Sequence, residues 1–225
     1  ELTSNLIPKS IFPGENIETP FEISLGTPVY NEGMIQVAIE LLSIEINSPI
    51  NKFLHIANSP YLSAGRNNYD NLAELEVNIQ KEANHIINLE SIDTFFSHGS
   101  TSEIKKLLNI LIDLTRITHK QLPSSWVSFF SNLLKDLGWL LDLDKVFSSR
   151  EIQCLSLWNE CLNELASLDM IVGELPRHQI IQELKEITSK KIFQVKTKEH
   201  PIQVLSFFES TGIKFDSLWV LGCHS

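Results

Sequence analysis

Cysteine is scarce in this 225-residue chain: three residues, Cys154, Cys161 and Cys223, and no Cys-x-x-Cys. Cys154 and Cys161 are seven apart in a helical run, about 10 Å along a helix axis, which is too far for a bond between them. An odd count without ligand spacing excludes a disulfide framework and reads as buried or half-buried thiols in a reducing compartment. Long apolar runs are missing too. None approaches the roughly 18 residues that cross a bilayer, and no signal peptide opens the chain, so no membrane association and a cytoplasmic location are expected. The phosphate-cradling Gly-x4-Gly-Lys-Ser/Thr loop, the Gly-x-Ser-x-Gly elbow and His-Glu-x-x-His are all absent. Seven histidines are present, at 55, 85, 98, 119, 178, 200 and 224, but none has a His or Cys partner at metal-ligand spacing. His224, beside Cys223, lacks two further ligands. The carboxylate pairs Glu74/Glu76 and Asp142/Asp144 sit in polar stretches and are expected to face solvent. Nothing in this inventory supplies a catalytic residue, a metal site or a cofactor.

Basic residues are also few, and unevenly placed. The formal net charge is -10, with a hydrophobic content of 43% that suits one large domain or two small ones. Residues 1–100 hold thirteen acids against four bases, whereas residues 101–225 are nearly balanced at fifteen against fourteen. Nucleic-acid affinity rests largely on Lys and Arg displacing counterions, so the acidic front half is a poor phosphate surface. The dense basic group lies behind it: Lys185, Lys190, Lys191, Lys196 and Lys198. Its plainer reading is a solvated helix end and loop.

What is present is mostly helical spacing. Residues 1–20, with three prolines, read as an extended lead-in. Alternation of Phe21, Ile23 and Leu25 predicts a short strand ending at Gly26. Helices are predicted over 31–46, within 48–62 with Pro49 at the first helical position and the end before Pro60, over 70–83 and over 88–97. Residues 101–120 give the cleanest stripe: Ile104, Leu107, Leu108, Leu111, Leu114 and Ile117, with Thr101 or Ser102 as cap. Further helices are predicted at 123–138, closed by Gly138, at 148–172 and at 176–190. The period then changes, and strands are predicted at 191–195, 202–208 and 217–222. Trp126, Trp139 and Trp158 fall among Leu and Phe in helical segments and read as core. Base stacking needs exposed aromatics among basic residues; Phe193 alone has basic neighbours, and it is expected to point into the sheet.

The fold class is therefore mainly α with a small β component: a helical bundle-like body bracketed by strands, as an insertion into a sheet-containing domain would be. The boundaries expected are 1–30 for lead-in and strand, 31–190 for the helical domain and 191–225 for the returning strands. The chain opens on Glu1 rather than Met, which reads as a piece of something longer or a processed product.

Six segments in order carry a family likeness: FEISLGTPV (21–29), LHIANSPYLSAG (54–65), LPSSWVSFFSNLLKDLGW (122–139), SREIQCLSLWNECLNELASLD (149–169), KKIFQV (190–195) and PIQVLSFFESTGIKFDSLWVLG (201–222). Together they resemble a family of bacterial probable DNA-repair proteins related to the nuclease-helicase subunit AddB and, more distantly, to the UvrD, Rep and RecB helicases. The resemblance implies that the helical body is the 2B-like domain inserted into a RecA-like motor domain, here a partial one. It also implies that 204–222 matches a helicase motif of strand, His-x-x-Lys-Gly-Leu-Glu-Phe-like loop and strand. Gly212 and Phe215 match that loop, Glu209 stands near the expected His, Thr211 replaces the expected Lys, and Lys214 lies within it. Losing the lysine removes a charge-assisted contact to phosphate, which fits a branch of degraded helicases joined to a PD-(D/E)XK nuclease.

On this resemblance the nucleotide-binding loop lies before Glu1 and the nuclease motif beyond Ser225. The chain itself is then expected to be a non-catalytic fragment, without cofactor, that scaffolds and contacts DNA or a partner helicase/nuclease subunit. Lys190, Lys191, Lys196 and Lys198 are the candidate DNA contacts. The alternative is a freestanding acidic helical module that binds a basic partner protein.

Overall fold

A computed structural model describes residues 21–23, 26–81, 85–96, 99–139, 148–194 and 202–222. The protein is mainly helical with a small β component. In chain order its elements are β1 (Phe21–Ile23), β2 (Thr27–Pro28), a 3-10 turn (Val29–Asn31), α1 (Gly33–Leu42), β3 (Asn47–Pro49), α2 (Ile50–Ala57), α3 (Ser63–Asn67), α4 (Tyr69–Lys81), β4 (Ile86–Asn88), a 3-10 helix (Leu89–Phe95), α5 (Ser102–Thr115), α6 (Pro123–Asp136), α7 (Ser149–Ser167), α8 (Asp169–Val172), α9 (Arg177–Lys190), β5 (Ile192–Phe193) and β6 (Ile202–Val204). Contacts divide the chain into two compact units: Pro28–Phe193, and a second formed by Glu1–Thr27 with Gln194–Ser225.

The helical unit is built around α1. Met34, Ile35, Val37, Ala38, Ile39, Leu41 and Leu42 are all buried, so this helix is apolar nearly all round, as a central helix must be. Helices α2 and α9 and the 3-10 turn pack against it. Helix α6 packs on α7, and α7 on α9. Trp126 lies fully buried in this layer, its ring centroid 5.4 Å from that of Phe130, and its indole N–H donates to Leu175 O at 2.8 Å. Trp139 and Trp158 pack with centroids 5.8 Å apart. Trp139 lies just past the end of α6 and donates from its indole to Met34 O at 3.2 Å.

Local signals explain where the helices begin. Thr101 accepts the Ile104 N–H at the start of α5, and the buried stripe there is Ile104, Leu107, Leu108, Leu111 and Leu114. Ser148 and Glu151 form a reciprocal capping box at α7. At α6 Pro123 occupies the first turn, and the Asp169 carboxylate reaches across to accept the Ser124 N–H at 2.8 Å and its hydroxyl at 2.6 Å.

The helix expected at 88–97 is present as the 3-10 helix Leu89–Phe95. The helix within 48–62 was expected to begin at Ser48-Pro49. Instead β3 and β4 pair antiparallel, Asn47 opposite Asn88 and Pro49 opposite Ile86. Ser48 folds back on Glu45, accepting its N–H and donating to its carbonyl, so the chain is extended through Pro49 and α2 begins at Ile50. After β4 the chain runs into the 3-10 helix, whose first turn Asn88 caps through the Glu90 N–H.

The chain enters and leaves the helical unit at neighbouring points. The Val29 N–H donates to Lys191 O at 2.8 Å, and the ribbon of β2 with β5 continues that pairing. In the second unit β1 and β6 pair in parallel, Phe21 with Ile202 and Ile23 with Val204. Parallel neighbours cannot be joined by a hairpin and need a crossover connection. Here the chain between them includes every helix from α1 to α9.

The strand content is smaller than expected. Strands at 191–195, 202–208 and 217–222 were to share one sheet with 21–25. The sheet pairs are separate, β5 with β2 and β6 with β1. Strand β6 stops at Val204, and residues 217–222 form no strand. A strand exists through its ladder, and among the described residues nothing pairs with this stretch.

Candidate functional site: the motif loop and the basic side chains

Beyond β6 the motif segment folds on itself. The Ser206 N–H donates to the Glu209 carboxylate at 2.9 Å, and the Glu209 N–H returns to Ser206 Oγ at 3.4 Å. This is the reciprocal arrangement of a capping box. Two hydroxyls then tie to the Phe207 carbonyl, Ser210 at 2.8 Å and Thr211 at 3.3 Å. The Ser210 N–H donates to Ser206 O at 3.1 Å, closing one helical turn. Gly212 follows with φ +83, and a Cβ placed there meets nothing within 4 Å, so the glycine is required by conformation and not by space. Thus Glu209 and Thr211 both bond within the turn itself. Lys214 is exposed and Phe215 half-buried.

Several large apolar side chains of this segment are exposed. Phe207, Phe208, Trp219 and Leu221 are 82%, 86%, 89% and 88% exposed.

In the helical unit, Lys190 and Lys191 are each met by an acid. Lys190 lies one turn after Glu186, 3.5 Å from its carboxylate. Lys191 is 2.7 Å from the Glu160 carboxylate, and that hydrogen bond raises its ammonium above the ordinary lysine value. Lys196 and Lys198 lie outside the described residues. Phe193, the aromatic with basic neighbours, is buried, and the Arg150 guanidinium sits 5.5 Å from its ring centroid. Arg150 in turn is forked onto Glu32, with contacts of 2.8 and 3.1 Å.

The two thiols among the described residues are inert. Burial pushes Cys154 up to about 12, with Glu32 adding to it, and burial pushes Cys161 up to about 11. Neither offers a nucleophile near neutral pH. Among the described residues no group of three His, Cys, Asp or Glu side chains could hold a metal ion. His55 is paired to Glu40 at 2.6 Å, and His119 stacks on Trp126 at 6.4 Å. No helix among the described residues is long and apolar enough to cross a membrane.

Two adjoining clefts on the helical unit were not foreseen from the sequence. Both are lined by Asn51 and His55. The larger, about 510 Å³, also receives Tyr30, Ser43, Lys52 and Lys185. Lys185 was legible only as part of a basic group at the end of α9, and Lys52 stands alone in an acidic stretch. Their meeting depends on α2 and α9 both packing on α1.

Comparison with family models, with curated proteins and with solved structures gives no match.

Proposed function

We propose that this chain is the helical insertion, with adjoining strands, of a helicase/nuclease-like DNA-repair protein. The observation that carries the reading is topological. The helical unit is entered and left at neighbouring backbone positions, Val29 and Lys191, and the strands outside it pair in parallel. That is the connectivity of a domain inserted between two adjacent strands of an α/β sheet. The turn at 206–212, with Gly212 and Phe215 retained and Thr211 engaged by Phe207 O, supports a helicase-motif loop without its phosphate-contacting cation. In this reading the unit scaffolds the parent protein and contacts DNA or a partner subunit, while hydrolysis and cleavage belong to other parts of that protein.

A second reading, an acidic helical module for a basic protein partner, draws support from Lys190 and Lys191. Both are already held by carboxylates and present less charge to a phosphate backbone. Fluorescence anisotropy with a forked duplex over a salt series separates the two. The first reading expects binding that weakens as salt rises, with the logarithmic slope falling by about one per lost phosphate contact in a Lys190→Gln, Lys191→Gln variant. Binding that is absent, or indifferent to salt, would leave the second.

A further inference from the structure

Most cations that the helical unit holds in place are met by carboxylates: Arg116 by Glu90, Arg150 by Glu32, Arg177 by Glu45, Lys190 by Glu186 and Lys191 by Glu160. Lys52 and Lys185 are different. They come from α2 and α9, line the same cleft of about 510 Å³, and neither forms an ion pair with a carboxylate among the described residues. Lys52 is fixed in place, its ammonium donating to Ser43 O at 2.8 Å and to Ser43 Oγ at 3.0 Å, which leaves one of its three N–H donors. Burial and then the charge of Lys185 hold that ammonium below the ordinary lysine value, so the two cations sense each other. Glu40 lines the cleft too; one of its carboxylate oxygens meets His55 Nδ1 at 2.6 Å, and the charges of Glu40 and Glu45 act on Lys52 in the opposite sense without overcoming the shift. Tyr30 also lines the cleft.

A pair of like charges in one cleft is a cost that an anion there removes. The Ser43 hydroxyl proton is already donated to Glu40 O at 3.1 Å, so the donors left for an anion are the remaining Lys52 N–H and the Lys185 ammonium, which suit a dianionic group with several acceptor oxygens better than a single carboxylate. A chain of net charge -10 has no general attraction for anions, so any such binding must be local. We propose that the cleft between α2 and α9 is a binding site for a phosphate group, carried either by a small phosphomonoester or by the 5′ end of a nucleic acid strand. This site is separate from Lys190 and Lys191 and does not depend on the DNA contact proposed for them.

The test is an amide NMR titration of the whole chain at physiological salt. The probes are inorganic phosphate, a nucleoside 5′-monophosphate, and one short oligonucleotide with and without a 5′-phosphate. Sodium chloride serves as control. Expected are saturable shifts at Ser43, Lys52 and Lys185. Lys185→Gln should weaken them by about tenfold or more, the loss of one charge-assisted contact, while Lys185→Arg retains them. Lys185 has no ion-pair partner to orphan, so an unchanged urea midpoint for Lys185→Gln checks that the fold is intact. Equal affinity for phosphate and nucleotide identifies a free phosphomonoester as the source. A preference for the 5′-phosphorylated oligonucleotide over its 5′-hydroxyl form and over phosphate identifies a strand end. Shifts that fail to saturate, that chloride reproduces, or that persist unchanged in Lys185→Gln overturn the proposal.

Discussion

Arg177 ties the start of α9 to the end of α1, and Arg177→Met tests how much that tie holds the helices together. Its side chain is 8% exposed and lies at the start of α9. One nitrogen donates to Leu42 O at 3.2 Å and Ile44 O at 2.9 Å, the carbonyls where α1 ends; the other reaches Glu45 at 2.9 Å. Methionine preserves the apolar stem but leaves both carbonyls without that donor. Hydrogen bonds from a charged donor contribute about 1.5–3 kcal/mol each, so a loss of about 3 kcal/mol is expected for the pair. The ion pair adds little, because the Glu45 carboxylate is 65% exposed and such surface pairs contribute about 0–1 kcal/mol. In urea unfolding with a slope near 2 kcal/mol/M, the midpoint should fall by about 1.5 M at constant slope. Glu45→Gln should shift it by less than about 0.5 M. Arg177→Lys should fall between the two, since lysine keeps the charge but not the fork. A Glu45→Gln shift as large as that of Arg177→Met would show that the ion pair, and not the tie to the end of α1, holds the helices together. A shift under about 0.5 M for Arg177→Met would show that neither does.

Three further outcomes follow from close packing and burial. A Cβ on Gly65 would stand 2.2 Å from the backbone oxygen of Ser59, with the Ala57 oxygen at 2.9 Å, so Gly65→Ala should fail to yield folded protein or lower the melting temperature sharply; a near-native melting curve would contradict the close approach. With Cys223 replaced by Ser, Cys154 and Cys161 should react with a thiol reagent at neutral pH only as fast as the chain opens. Labelling at the rate of a free thiol would contradict their burial. Because both folded values, about 12 and about 11, lie above the unfolded value near 8.5, the two thiols stabilise the fold fully below about pH 8.5. That contribution is lost as pH rises through the folded values, so urea midpoints should decline on the alkaline side.

The elements legible in the sequence are those fixed by neighbours along the chain. The α5 stripe could be read from spacing because a single face meets the core, and the helix starts at Thr101 and Pro123 from local capping chemistry. The β3–β4 pair was missed because Ser48-Pro49 is also a good helix opening, and only the distant Ile86–Asn88 segment decides between the two. The cleft was missed for the same physical reason. Lys52 and Lys185 meet through the packing of α2 and α9 on α1, and nothing near either residue marks the other. Glu209 and Thr211 could be singled out by position, but not that Ser206 and Phe207 would engage them.

The predicted strand at 217–222 has a different cause from these misses. Its composition, Leu218-Trp219-Val220-Leu221, is that of a strand buried on both faces, and such strands occur inside parallel sheets. Pattern alone cannot form one, because the backbone gains nothing from extension until a neighbour supplies the ladder. A lone two-stranded pair is at best marginal in water. The exposed side chains measure what that neighbour would contribute. Burying Phe207, Phe208, Trp219 or Leu221 gains about 1.5–3 kcal/mol each, and Ile202 and Val204 on β6 are also exposed. Gains of that kind offset the entropy of ordering a segment of this length, and they require a surface that is apolar and offers a strand edge. On the proposed reading that surface is the remainder of a RecA-like sheet, and 217–222 becomes a strand when it is present.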